Sequence, residues 1–232
     1  WVRVAGSLKF DAVAAEVPAD VVRLADAIEA GGRRVVVAGS THEGEDEAVL
    51  AAFGRIVPGH PDLVLLLAPR HPERFAAVGA LVTAAGFPLL RYTELTAGEV
   101  AELPPRAVVL LDALGKLAHC YALGMAAFVG GSLVPVGGHN VIEPARAARP
   151  VLVGPHTGNA ADVVERLVTG GGALRVSSAE RLAWALAGLL DEPGRAMEMG
   201  QRARALVESG QGAVERHLKI IAARLTSARF SH

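Results

Sequence analysis

Short, wholly apolar runs alternate along this chain with stretches in which apolar residues recur every three or four positions. The runs RVVVAG at 34–39, LVLLLA at 63–68, AVVLL at 107–111 and AAFVG at 126–130 lack regular polar alternation. Each therefore predicts a strand buried on both faces. Further strands are expected at 88–92, from Pro150 to Val153, and at 173–176. Between them, Val49, Phe53 and Ile56 share a helical face, as do Phe75, Val78, Leu81 and Val82. Helices are also expected at 21–31, 115–123, 141–148, 160–168, 194–209 and 213–228, the last with a stripe of Val214, Leu218, Ile221 and Leu225. Ser177 and Glu180 have the spacing of a capping box for a helix through Leu190. This alternation predicts an α/β fold: a Rossmann-like parallel sheet of about six strands with helices on both faces.

Residues 1–20 read as an arm or linker, 21–210 as the sheet domain, and 211–232 as a C-terminal helix reaching beyond the sheet. The chain opens on Trp1 rather than Met, so it is expected to be a segment of a longer protein.

Composition narrows the chemistry. Of 232 residues, 23 are Lys or Arg and 24 are Asp or Glu, for a net charge of -1, which gives no electrostatic footprint for nucleic acid. The one cysteine, Cys120, excludes an intrachain disulfide framework and reads as a small core residue. No run has the length of a membrane span, and no His/Cys spacing implies a metal.

In an open parallel sheet, ligands bind beyond the carboxyl ends of the strands. The informative polar residues fall at such ends. Ser40, Thr41 and His42 follow the first apolar run, where a helix start suits either a phosphate or an ordinary N-cap. Arg70 and His71 follow the second, between prolines; the arginine can pair with a phosphate or with a surface acid. Gly131 and Ser132 form a tight turn before Gly137-Gly138, and His139, Asn140 and Glu143, then His156 and Thr157, are the further polar residues at strand ends. Asn140 and Glu143 share a helical face, where Glu143 can accept both ribose hydroxyls or complete a cap. Pro144 argues against a cap at Asn140 and leaves a later helix start open. Asp112 and Glu99 are acids without a visible partner, and Asp112 reads as a cap for the helix that follows it. GxGxxG, Walker A and G-x-S-x-G motifs are all absent.

The stretches SLKFD at 7–11, AGSTHEGEDEAVL at 38–50, LLLAPRHPERF at 65–75, AFVGGSLVPVGGHNVIEPA at 127–145 and PVLVGPHTGNAADV at 150–163 resemble, in this order, the carboxyl-terminal half of the 3-deoxy-D-manno-octulosonic acid (Kdo) transferases. The resemblance implies the donor half of a GT-B glycosyltransferase of lipopolysaccharide biosynthesis. Its donor is CMP-Kdo and its acceptor a lipid A precursor at the cytoplasmic face of the bacterial inner membrane. No cofactor or metal is implied. By carry-over, Ser40, Thr41, His42, Arg70, His71, Gly131, Ser132, Asn140 and Glu143 line the donor site, with Glu143 on the ribose. The acceptor site, membrane association and catalytic base fall to an amino-terminal half, so no catalytic residue is assigned here and the chain is expected to be soluble. Within LLDALGKL at 110–117 the family more often has a Gly-Asp-Thr-Met-Gly-Glu-Leu run; Asp112 and Gly115 are kept. Another GT-B enzyme using a UDP- or GDP-sugar, a non-catalytic nucleotide-binding domain and an epimerase of the same fold are the competing readings.

Overall fold

A computed structural model describes residues 16–98 and 102–210, together with 11, 212, 214, 215 and 217–221. Seven strands form one parallel sheet: β1 (Arg34–Thr41), β2 (Leu63–Pro69), β3 (Leu89–Arg91), β4 (Val108–Leu110), β5 (Ala126–Val129), β6 (Val151–Val153) and β7 (Ala173–Arg175). Their spatial order is β3-β4-β2-β1-β5-β6-β7. The chain thus builds one side of β1 first and then crosses to the other side with β5. This leaves a topological switch point between the carboxyl ends of β1 and β5, the position at which such sheets bind ligands.

Both faces of the sheet are covered. Val36, Ala38, Leu65 and Leu67 point into one core with Val49 and Phe53 of helix α2 (Glu45–Ile56), Val78 of α3 (Phe75–Ala84) and Leu186 of α8 (Ala179–Asp191). Val35, Val37, Val64 and Leu66 point into the other with Leu24 of α1 (Ala19–Ala30) and Cys120 of α5 (Leu117–Cys120). This two-sided burial is why the strands read as continuous apolar runs. Burial pushes the Cys120 thiol up to about 12, so it is a packing residue and not a thiolate nucleophile. A third core, centred on Val151 and Val153, is closed by α6 (Ile142–Arg146), α7 (Ala161–Thr169) and α9 (Pro193–Glu208).

Several expectations shift. The helix expected at Ser40 and Thr41 starts at Glu45, because β1 continues through Thr41. A register shift between Gly39 and Thr41 leaves Ser40 as the extra residue of a bulge, with φ of 56°. Asp112 does not cap the helix after it; its carboxylate reaches back to the N–H and hydroxyl of Thr93 at 2.9 and 2.8 Å, in the first turn of α4 (Tyr92–Ala97). Ser178, not Ser177, caps α8 by accepting from the Arg181 N–H. Helix 115–123 is a short α5 followed by a 3-10 turn at Tyr121–Leu123. Of the stripe expected on the last helix, Val214, Leu218 and Ile221 are exposed. Leu225, Glu99, the SLK and Phe10 of SLKFD, and most of the expected arm lie outside the described residues.

Main chains meet closely at the switch point. A Cβ on Gly130 would overlap the Ser40 carbonyl, so β5 can turn beside the bulge only with glycine there. Gly130→Ala is expected to lower stability by roughly 1–3 kcal/mol, the range for overpacking. A fall in the urea midpoint measures it. Gly59→Ala, where the nearest atom is 3.7 Å from the added carbon, is the control and should change little.

Candidate functional site

The chain's route through the switch point is fixed by one buried carboxylate. Glu45, at the start of α2, is fully buried. Its Oε2 accepts from the N–H of His42 at 3.0 Å and of Gly131 at 2.6 Å; its Oε1 accepts from the N–H of Ser132 at 2.9 Å and of Leu133 at 2.8 Å. Four amides from two distant segments converge on one side chain, which satisfies a charge that would otherwise be costly to bury. Gly131, with φ of 67°, supplies the left-handed turn that aims these amides inward.

Beside Glu45 lies a second buried acid. Asp46 accepts from the Thr41 hydroxyl and from Arg74, each at 2.6 Å. Burial raises its carboxyl above the usual range, while Thr41 and Arg74 pull it back down. This pair ties the end of β1 to the 3-10 turn Pro72–Arg74 that follows β2.

Above this layer a cleft of ≈ 290 Å³ opens, lined by Ser40, Arg70, His139, Asn140 and Glu143 on the switch-point side and by Gly115, Leu117, Ala118 and Tyr121 beyond them. The bulge re-aims Ser40 into it. Tyr121 is buried against Gly39, where a Cβ would overlap its hydroxyl. Burial and the nearby Glu143 raise its phenol well above the ordinary value. Arg70 is exposed, and its guanidinium makes no hydrogen bond or ion pair with the described residues. Asn140 donates to Glu143 Oε1 at 2.9 Å and accepts from the Ile142 N–H at 3.1 Å. α6 therefore starts two residues after Asn140, which places Pro144 in the first turn where its missing N–H costs little.

Three histidines stand at the rim. His42 Nε2 lies 2.7 Å from His139 Nε2, and the His71 ring meets His42 edge-on at a centroid distance of 5.3 Å. Burial lowers the His42 imidazole below its ordinary value, opposed by Glu45; burial, then His42 and Arg70, lowers His139.

Of the nine residues expected at the site, the structure brings Ser40, Arg70, Asn140 and Glu143 into one cleft, with His42 and His71 beside it. Thr41 and Ser132 are fully buried beneath it. The Ser132 hydroxyl donates to the Val129 carbonyl at 2.5 Å and accepts from the Gly154 N–H at 2.8 Å. The Gly131 N–H faces Glu45, not the cleft. These three hold the loop in shape. His139, a strand-end polar residue in the sequence, was not among the nine assigned to the donor site, and it lines the same cleft. Among the described residues, no group of three or more metal-ligating side chains fits an ion. No described helix is long and apolar enough to cross a membrane.

No family model matches the chain. It is 40% identical over 220 residues to a 3-deoxy-D-manno-octulosonic acid transferase of Bordetella pertussis, covering 93% of this chain and 50% of that protein. It is 37% identical over 192 residues to the Haemophilus influenzae protein of the same name, covering 82% of this chain and 44% of the relative. The chain thus spans about half the length of the curated relatives it matches. Among solved structures, it is similar to the C-terminal CMP-Kdo binding domain of WaaA from Acinetobacter baumannii, with a TM-score of 0.73 and 28% identity over 82% of this chain and 98% of that domain. Anabaena HepE in complex with UDP-glucose shares the fold, with a TM-score of 0.63 and 17% identity over 91% of this chain and 54% of the other.

The convergence on Glu45 generates a test. Glu45→Gln replaces one acceptor with an NH₂ group aimed at backbone donors. It should lower stability by roughly 1–3 kcal/mol through unsatisfied buried groups, measured by denaturant unfolding. Glu43→Gln, on an exposed neighbour, should leave stability unchanged; equal effects of the two would mean that the four-amide contact does not hold the loop.

Proposed function

Because the chain resembles the CMP-Kdo-binding carboxyl-terminal domain of the Kdo transferases, we propose that it binds CMP-Kdo as the donor half of an enzyme that moves Kdo onto a lipid A precursor. The observation that carries this reading is the presence, in one cleft at the switch point, of an unengaged arginine and a carboxylate held by Asn140. Arg70 suits the single phosphate of CMP, with Ser40, His42 and His71 around it. Glu143, oriented by Asn140, suits the two ribose hydroxyls. Thr41, Gly131 and Ser132 serve the site from below, by shaping the loops.

In the reaction, the acceptor hydroxyl oxygen attacks the anomeric carbon as the bond to the phosphate oxygen breaks. Its proton passes to a general base, and CMP leaves with the bonding pair. Cationic side chains at the phosphate stabilise the charge that develops on the leaving group. The base and the acceptor site belong to the amino-terminal half of the enzyme, and so does association with the cytoplasmic face of the inner membrane.

Calorimetry tests the site. CMP should bind more tightly than UDP or GDP; tighter UDP binding would move the chain to a different donor. Arg70→Ala should weaken CMP about ten- to a hundredfold, the worth of hydrogen bonds to a charged group. The wild type should prefer CMP over 2′-deoxy-CMP, and Glu143→Gln should abolish that preference. An unchanged preference with a lower melting temperature would make Glu143 a structural residue of α6.

Catalysis gives a second test. Supplied with CMP-Kdo and a lipid A precursor, this chain should release no CMP above background, because a held leaving group without a positioned base and acceptor gives no transfer. Turnover by the chain alone would overturn its assignment as a donor half.

A further inference from the structure

The histidine pair at the cleft has a proton stoichiometry set by its geometry. The His42 and His139 rings are parallel to within 2°, with centroids 5.0 Å apart and Nε2 atoms 2.7 Å apart. The centroid separation exceeds the nitrogen separation by about two ring radii, so the two nitrogens point at each other along one line. One must donate and the other accept. The contact can hold a neutral pair, or one imidazolium donating to one imidazole. It cannot hold two imidazoliums, whose Nε2 hydrogens would collide. The pair therefore takes up one added proton at most while the contact lasts, and the charged form makes the stronger bond.

The surroundings decide whether that proton is present. Burial opposes it most on both rings. On His42, Glu45, from the first turn of α2, favours it, while His71 and Arg70, after β2, and Arg74, in the 3-10 turn that follows, oppose it. On His139, from the glycine-rich loop, Arg70 and His71 oppose it and Glu45 favours it. Because Glu45 already accepts four amides and Arg74 is paired with Asp46, the cation left without a counter-charge beside the pair is Arg70. An anion bound at Arg70 cancels the part of the opposition that Arg70 supplies and adds an attraction of its own that works against the cost of burial, since His139 and Arg70 line the same cleft.

We propose that His42 and His139 form a one-proton pair that becomes charged when a phosphate binds at Arg70, so that nucleotide binding in this cleft is coupled to proton uptake. The proposal rests on the donor-cleft reading above and adds to it. A pair charged only when the donor is present places a second positive centre at the leaving phosphate, without holding a buried cation in the empty cleft.

The experiment is calorimetry of CMP binding to this chain at about pH 8, where the nucleotide phosphate is already fully ionised because its second pKa is near 6. Titrations run in buffers of different ionisation enthalpy give the protons exchanged from the slope of observed heat against buffer heat. The expected result is uptake of between about half and one proton per CMP bound. Cytidine, which lacks the phosphate, should show none if it binds. His139→Gln and His42→Gln should each abolish the uptake while CMP still binds, more weakly. Should either variant fail to fold, the wild-type slope alone decides. Binding with no uptake would overturn the proposal and leave the donor cleft standing. No CMP binding in any buffer would overturn the donor-cleft reading and this proposal with it. Uptake retained in both variants would assign the proton to another group and also overturn it.

Discussion

A carboxylate buried at the mouth of a sheet must be neutralised by its surroundings, and the way Glu45 meets that requirement organises everything above it. Its four amide partners are one from the β1–α2 turn and three from the loop after β5. The two segments part at the switch point, and this side chain is what keeps them in register as they do. It also consumes the amides of Gly131, Ser132 and Leu133. A glycine-rich loop after a parallel strand is often a backbone cradle for phosphate; here the cradle is filled from within by the protein's own anion.

That substitution takes main-chain donors away from the cleft. With the loop amides taken and the α2 start closed by Glu47 accepting from the Gly44 N–H at 3.0 Å, the polar side chains that line the cleft are Ser40, Arg70, His139, Asn140 and Glu143. The same economy explains the sign of the field. Glu45 and Asp46 are adjacent acids beneath the cleft, yet each is surrounded by donors, so they do not repel an anion as two exposed carboxylates would. Arg74 is paired with Asp46, at a side chain fully withdrawn from solvent, and Arg70 is left unengaged at the cleft. Two arginines in PRHPER thus do opposite work, one sealing the floor and one facing the cleft.

The sheet was legible because burial on both faces writes itself into consecutive residues: each apolar run became a strand, and the weak one at 88–92 became the short edge strand β3. Caps were less legible. Ser40 and Thr41 follow a glycine and resemble a helix start, but pairing with β2 carries the strand on through a bulge, and the helix waits for Gly44. Asp112 has cap chemistry and does serve a helix terminus, but that of α4, one strand away, which local spacing cannot reveal. At the site, Arg70, Asn140 and Glu143 were readable as strand-end polar residues. Thr41, Gly131 and Ser132 were readable as site residues but not as inward-facing ones, because the partner that claims the Gly131 amide, Glu45, lies 86 positions earlier in the chain. His139 was readable as a strand-end residue too, but not its pairing with His42 across 97 positions.

The arrangement also bears on the proposal that the chain is one half of a transferase whose base lies in the other half. Of the acids near the cleft, Glu45 and Asp46 are sealed in the floor, Glu47 holds the start of α2, and Glu143 is bonded to Asn140; Glu43, on the exposed turn before α2, is not among the residues that line the cleft. A general base must approach the acceptor hydroxyl with a free lone pair. A carboxylate free to do that beside Arg70 would first pair with the guanidinium and compete with the donor phosphate. In the proposed division of the two functions between domains that conflict would not arise: the half that holds the leaving group can be made uniformly attractive to an anion.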